Sequence, residues 1–435
     1  MELLTRQSQL KKNIFSGSFT AAGGIVISIV AYPLYLHFLG ANLYGLWAIL
    51  AVIIYFSSIG NFGIDEALVK YVAEEYEKKN LEGIIAYAST GLNLLILNAV
   101  LIYVVINLMG KLLQKVLHLN TSYSSIYHNI FPYVILLSIF VLIVNYVNSI
   151  LKGLGRFDQA SYILLAGRIL ALIISLLFFV NGYRIWGIYW GQLLSFLFVL
   201  IVSSLFIFRK IGFYYNPLKY KKNLLFKLFK FGGAITVSRI ISILLEPFIK
   251  IIIARFIGLA EVSYFEIANK IVLQIRSLFE RGISAIMPEV SRLSASAKNA
   301  KTAIAVVMRK INRLNAFVGL ITLAILFIVG EYVLKLWLSQ DYNVAITIAF
   351  RIVILGYFIN LVSVPIYYYF MGIGKVKYCF YNHFIQAVLN FVLVIIVILF
   401  GCINFPLVTA AYATSIGISA VVLILIYCRT VHAEL

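Results

Sequence analysis

Charge is scarce in this chain: 12% of its 435 residues are charged against 63% hydrophobic, and the mean hydropathy is +0.99. That balance excludes a water-soluble globular protein, which has no use for so much apolar surface. No stretch longer than about 25 residues has a soluble composition, so no extramembrane domain is expected. Cysteine is nearly absent, and Cys379, Cys402 and Cys428 lie far apart without metal or redox spacing. His37, His118, His128, His383 and His432 show no ligand spacing either, and no metal or cofactor is expected. The segment 110 to 127 offers no carboxylate. It cannot supply the catalytic constellation that a membrane glycan polymerase or ligase holds in an outer loop. A nucleotide-phosphate loop is also missing, which removes a primary pump. The expectation is a protein without enzymatic activity.

Acidic residues are outnumbered, 16 to 36, giving a formal charge of +20. Most Lys and Arg sit in short segments between apolar runs, so they read as topology signals, and nucleic acid is not an expected partner. Runs long enough to cross a bilayer lie near 13 to 38, 43 to 69, 84 to 109, 128 to 151, 159 to 181, 186 to 208, 231 to 257, 311 to 334, 344 to 370, 378 to 400 and 405 to 428. The first is too long for a signal-peptide core and lacks a small-residue cleavage site, so it is expected to be retained. Segment 262 to 291 carries Glu266, Lys270, Arg276, Glu280, Arg281 and Glu289 and fails any hydropathy window.

Two arguments restore it as a span. With a cytoplasmic N-terminus and this segment crossing, the cytoplasmic segments hold 24 Lys and Arg and the opposite side five, whereas eleven spans would invert everything beyond it. The second argument is an internal repeat. Gly153-Leu154-Gly155-Arg156 recurs as Gly372-Ile373-Gly374-Lys375, an offset of 219. The same offset pairs Gly63-Ile64 with Gly282-Ile283 and Lys79-Asn80 with Lys298-Asn299, while Phe38-Leu39-Gly40 matches Phe256-Ile257-Gly258 at 218. A duplication with an even number of spans per half keeps both halves in one orientation. The expected fold is therefore an all-α polytopic membrane protein of about twelve helices. It comprises a six-helix lobe at 1–208, a basic linker at 209–230 lying on the anionic leaflet, and a second six-helix lobe at 231–435, with a cavity between the lobes.

Charges inside spans are costly, about 2.5 to 3.5 kcal/mol each on the lenient insertion scale, and should face protein or water. Arg239, Glu246 and Lys250 are spaced by seven and four residues and share one face of their helix, beside the helix-loosening Pro247. In the next span Lys270 and Arg281 share a face, and Asn269, Arg276 and Glu280 a neighbouring one. Arg168 and Arg351 are single intramembrane arginines, and Asp65 and Glu66 close the second span. The excess of cations suggests a net basic lumen suited to phosphate or an acidic sugar. The competing reading is that the charges pair with one another, Glu246 with Lys250 and Arg276 with Glu280, for packing alone. For the aromatic run Tyr367-Tyr368-Tyr369, helix packing and an interfacial belt stand against sugar stacking.

The blocks Asn13-Ile14-Phe15-Ser16-Gly17, Phe38-Leu39-Gly40, Tyr44-Gly45-Leu46-Trp47-Ala48 and Asn61-Phe62-Gly63-Ile64 resemble the polysaccharide (O-antigen) flippase family. That family belongs to the superfamily of multidrug and toxin exporters and lipid II flippases. The resemblance covers nearly the whole chain. It implies a transporter that moves an undecaprenyl-diphosphate-linked oligosaccharide, an O-antigen or capsule unit, from the inner to the outer leaflet of the bacterial inner membrane by alternating access. The termini would be cytoplasmic, and a polysaccharide polymerase with its chain-length machinery would be partners beside the phospholipid bilayer. It also implies that Arg239, Lys250, Lys270, Arg276, Arg281, Arg168 and Arg351 form a cationic substrate cavity, and that Glu246, Asp65, Glu66 or Glu280 couple to an ion. Span one carries no charge, unlike in the lipid II flippases. A cation-coupled multidrug exporter of the same superfamily is the alternative, although cationic cargo would favour an acidic cavity.

Overall fold

The computed structural model describes residues 2–59, 63–212, 221–283, 286, 290, 293 and 300–434, with side chains for all of these except 2–11, 14, 58–59, 222, 229–243, 281–282, 300–303 and 431–434. Backbone groups in hydrocarbon must bond internally, so long apolar runs become helices. The described residues form α1 (Glu2–Ile59), α2 (Ile64–Glu77), α3 (Leu81–Leu117), α4 (Thr121–Gly153), α5 (Phe157–Val180), α6 (Ile185–Ile211), α7 (Lys222–Phe256), α8 (Leu259–Ile283), α9 (Ala300–Leu338), α10 (Val344–Gly372), α11 (Lys377–Leu399) and α12 (Phe405–Glu434), with a 3₁₀ turn at Ser339–Asp341.

Among the described residues, nine helices are apolar and long enough to cross a membrane. The first of these runs 43 residues from Phe15 to Ser57. At about 1.5 Å per residue that is twice the hydrocarbon thickness. It bends at Gly40, whose φ of 73° and ψ of 164° leave the helical region, so α1 supplies two crossings. α7 and α8, 35 and 25 residues long, are also long enough to cross, so with α1 counted twice the described helices allow twelve crossings.

The second span is shorter than the sequence suggested. α1 ends at Ile59, and Gly63, in a left-handed conformation with φ 67°, begins the separate helix α2. Asp65 and Glu66 therefore sit in the first turn of a 14-residue amphipathic helix, beside its positive N-terminal dipole, and not at the end of a span. The hydropathy run masked this break because α2 buries Ile64, Ala67, Leu68 and Val72. The basic segment 209–230 divides between two long helices: Arg209 and Lys210 complete α6, and Lys222 to Lys230 open α7. Residues 213–220 lie outside the described residues.

The chain forms two compact units, Met1–Arg239 and Ile240–Leu435. In the first, α1 packs on α4 and α5, and α6 on α4 and α5. Asn13 pins α1 to the α4–α5 turn: its Nδ2 donates to the Gly155 carbonyl at 3.4 Å, and its Oδ1 accepts the Asp158 amide at 3.2 Å. Phe38, just before the bend, stacks on Phe179 of α5 at 5.4 Å. Gly155 and Gly374, the paired glycines of the repeated block, both have φ 76°. In the second unit, α10 packs on α8, α9 and α12. The α10–α12 approach depends on Gly356, where a Cβ would stand 2.8 Å from Ala413 Cα.

Gly356→Val is expected to lower stability by about 1–3 kcal/mol through overpacking against rigid backbone. Gly40→Ala should cost a similar amount, about 1–3 kcal/mol, through strain. Gly17→Ala, inside the helix with nothing within 4 Å of its Cβ, should leave the thermal unfolding midpoint in detergent unchanged or slightly raised, since Ala is favoured over Gly in a helix by about 0.5–1 kcal/mol. Equal midpoints for all three would refute the close-approach account.

Candidate functional site: a charge quartet on α7 and α8

Consecutive helices α7 and α8 each present a Glu followed four residues later by a Lys, a spacing that places the two side chains on one face. In the folded unit the four charges alternate. Lys250 Nζ lies 2.7 Å from Glu246 Oε1 and 2.5 Å from Glu266 Oε2. Lys270 Nζ donates to Glu246 Oε1 at 2.9 Å and Oε2 at 3.3 Å, and stands 3.9 Å from Glu266. Glu246 Oε1 is thus shared by both ammonium groups. The Lys250 side chain is 5% exposed and Glu266 10%, whereas Lys270 is 31% exposed, so the quartet has a sealed side and an open one.

Further along α8, Arg276 donates from Nε to Asn360 Oδ1 of α10 at 2.9 Å, and its Nη1 lies 3.3 Å from Glu280. Its guanidinium lies 5.9 Å from the centre of the Tyr357 ring. Tyr357 and Tyr412 share a 3.1 Å hydroxyl contact, and Tyr412 donates to Asn269 Oδ1 at 3.4 Å, linking α10 and α12 to α8. Tyr368 donates to Glu280 Oε1 at 3.5 Å, and Tyr367 meets His383 Nε2 at 3.3 Å. Tyr369, buried, packs against Tyr427. The polar surface of α8 therefore continues from Lys270 past Arg276 and Glu280 to two of the three tyrosines.

The structure brings together Glu246, Lys250 and Lys270, and separately Arg276 and Glu280. Arg351 belongs elsewhere: its Nη2 donates to Glu331 of α9 at 3.0 Å, where Lys335 also pairs with Glu331. Arg168 lies in the other unit, its guanidinium against α1 where a Gly24 Cβ would stand. The side chains of Arg239 and Arg281 lie outside the described residues. Two pairs proposed as packing partners, Glu246 with Lys250 and Arg276 with Glu280, are formed. The four charges of the quartet sum to zero, because Glu266 supplies a second carboxylate. From sequence alone Glu266 counted only against a span. The signal that would have found it is the repeated Glu-to-Lys spacing of four on adjacent helices. A second feature without a role in the sequence reading is the buried amide stripe of α11, Asn382, Gln386 and Asn390, also at spacings of four. Both amide atoms of Asn390 lack a hydrogen-bond partner among the described residues. No group of three or more His, Cys, Asp or Glu gathers as a metal site among the described residues.

Helix order and length define a multi-pass helical membrane protein with the fold of known exporters and flippases. The chain superposes on a multidrug resistance MATE family transporter of the MOP superfamily in its inward-facing conformation, with a TM-score of 0.76, 15% identity and 98% of each chain covered. Against the lipid II flippase MurJ, inward closed, the TM-score is 0.72 at 16% identity, covering 96% of this chain and 87% of that one. A MOP superfamily transporter from Pyrococcus furiosus Vc1 gives 0.64 at 14% identity over 97% and 96%. Residues 10–294, which include the quartet, match the polysaccharide biosynthesis protein family, and the chain belongs to that family. It is also similar to a candidate O-antigen transporter of Shigella flexneri, 25% identical over 154 residues. The match spans 35% of that curated relative's length and 35% of this chain.

Removing one member of a buried ion network leaves its partner charged and alone, which costs about 3–5 kcal/mol. Lys250→Met should therefore lower the unfolding midpoint sharply, and Lys250→Met with Glu266→Leu should recover most of the loss, since Glu246 keeps Lys270. Lys335→Met, at a 52% exposed side chain, should do little. Equal effects of Lys250→Met and Lys335→Met would show that the quartet carries no stability.

Proposed function

We propose that the protein is a flippase for a lipid-linked oligosaccharide, carrying an undecaprenyl-diphosphate-linked repeat unit from the inner to the outer leaflet of a bacterial inner membrane by alternating access. The observation that carries this reading is an ion network inside membrane helices of a polysaccharide biosynthesis family chain. Charges in such a setting face protein or a polar pathway. Lys270, half-open, and Arg276, held by Asn360 and Glu280, are the groups placed to meet an anionic diphosphate or acidic sugar. Glu246, shared by two ammonium groups, is the carboxylate that could exchange a partner for a cation. Arg239 and Arg281 would add cationic contacts, whereas Arg351, paired with Glu331, stands apart from this role. The amides of α11 suit sugar hydroxyls, which need neutral donors and acceptors. The lobes at 1–208 and 231–435 would rock about the linker, with both termini cytoplasmic, and the polymerase and chain-length machinery would take the product onward.

A second reading, a cation-coupled multidrug exporter, draws support from the MATE fold and from Glu246, the more exposed carboxylate of the quartet.

In a strain lacking the chromosomal copy, Lys270→Gln and Arg276→Gln should each reduce surface glycan at least about tenfold, the effect of about 1.4 kcal/mol at a charge-assisted contact. Membrane levels of the variants should match wild type. Normal glycan display by both variants would sink the flippase reading. A loss of drug resistance with intact glycan in the deletion strain would establish the second.

A further inference from the structure

Lys250, Lys270, Arg276 and Arg351 of the second unit each stand within 3.3 Å of a carboxylate. Arg168 of α5, in the first unit, makes no hydrogen bond or ion pair among the described residues. The sequence gives the reason: no Asp or Glu occurs between Glu82 and Asp158, or between Asp158 and Glu246. The other carboxylates of this unit, Glu2 aside, belong to α2. Arg168 is the twelfth of the 24 residues of α5, about 16 Å from either end at 1.5 Å per residue. That distance exceeds its side chain, so the charge cannot snorkel to the membrane surface. Nor does it share the lipid-facing side of its helix. The exposed apolar stripe of α5 runs through Tyr162, Ala166, Ile169, Ile173, Leu177 and Val180. At 3.6 residues per turn, Arg168 lies about 100° to 180° around the helix from every one of them. It is turned toward α1, where a Cβ on Gly24 would stand 2.5 Å from its Nη1. Gly23 beside it lies equally close to Leu165, so two successive glycines give the guanidinium a flat seat. Arg168 is nevertheless exposed, and a ligand can reach it. An accessible, unpaired guanidinium in mid-membrane matches one ligand chemistry, an anion that takes two of its N–H donors at once.

We propose that Arg168, seated on Gly23 and Gly24, is a phosphate-binding subsite in the middle of the first unit, which holds the diphosphate of the lipid-linked cargo. The planar fork of Arg suits phosphate oxygens, and with no carboxylate to displace the ligand meets the full charge. The quartet offers the opposite case, because a ligand reaching Lys270 competes with Glu246. The source of the phosphate rests on the flippase reading, whereas the need for an anion rests on Arg168 alone.

The test is calorimetric titration of the full chain in neutral detergent with farnesyl diphosphate, farnesol, sodium pyrophosphate and phosphatidylglycerol. Wild type should bind farnesyl diphosphate at least about tenfold more tightly than farnesol, and Arg168→Gln should remove that margin. Arg168→Lys, which keeps the charge and loses the fork, should fall between them. Gly24→Val, which occupies the seat and leaves the charge unchanged, should also weaken binding of farnesyl diphosphate. Melting curves give an independent readout: removing an unpaired charge from mid-membrane should leave the midpoint of Arg168→Met equal to wild type or higher, whereas a structural arginine would lower it. A lowered midpoint, equal affinity of wild type and Arg168→Gln for farnesyl diphosphate, or no binding of either diphosphate by wild type overturns the proposal. Equal affinity in the two proteins does so while leaving the flippase reading intact. Pyrophosphate or phosphatidylglycerol bound through Arg168 as tightly as farnesyl diphosphate would keep the anion site and overturn its assignment to a lipid-linked cargo.

Discussion

A charge in hydrocarbon cannot stand alone, and the four charges of α7 and α8 meet that constraint only as a set. Lys250 needs both Glu246 and Glu266, and Glu246 needs Lys270 as well once Lys250 is shared. The arrangement fixes the register of α7 against α8, because sliding either helix by one turn, about 5.4 Å, would break every pair at once. From α8 the same logic extends to α10 through Arg276 and Asn360, and to α12 through Asn269 and Tyr412. Most of the second unit's polar interior is organised around helix α8, the least apolar of the long helices.

Neutrality changes what a ligand would meet. A cavity wall of unopposed lysines attracts any anion, whereas an alternating Glu–Lys–Glu–Lys set admits only a ligand that can exchange for one of its members. Lys270 is the most exposed member of the set, and Lys250 is held on both sides. In the first unit, Tyr133, Trp186 and Tyr189 cluster toward the N-terminal ends of α4 and α6, and Lys152, Arg209 and Lys210 lie in the last turns of those helices.

Much of the architecture was legible along the chain because span length and charge asymmetry are one-dimensional signals. The apolar runs located eleven of the spans, and the clusters of Lys and Arg required the twelfth, although α8 fails on hydropathy. The break between α1 and α2 was hidden, since the buried face of α2 continues the apolar pattern across Gly63. The break at Gly40 was legible as the gap between the runs 13 to 38 and 43 to 69; only the backbone angles show that it is a single-residue bend between two helical segments. Arg351 looked equivalent to the α7 and α8 cations until Glu331, twenty residues earlier on another helix, was seen beside it.

The sequence by itself determined that this is a helical membrane protein, which helices carry charge, and which of those charges share a face, since all of these follow from composition and a 3.6-residue period. Only the tertiary structure decided which carboxylate neutralises which cation. Pairing depends on contacts between helices, such as Lys250 with Glu266, and a helical period says nothing about which face of the next helix lies opposite.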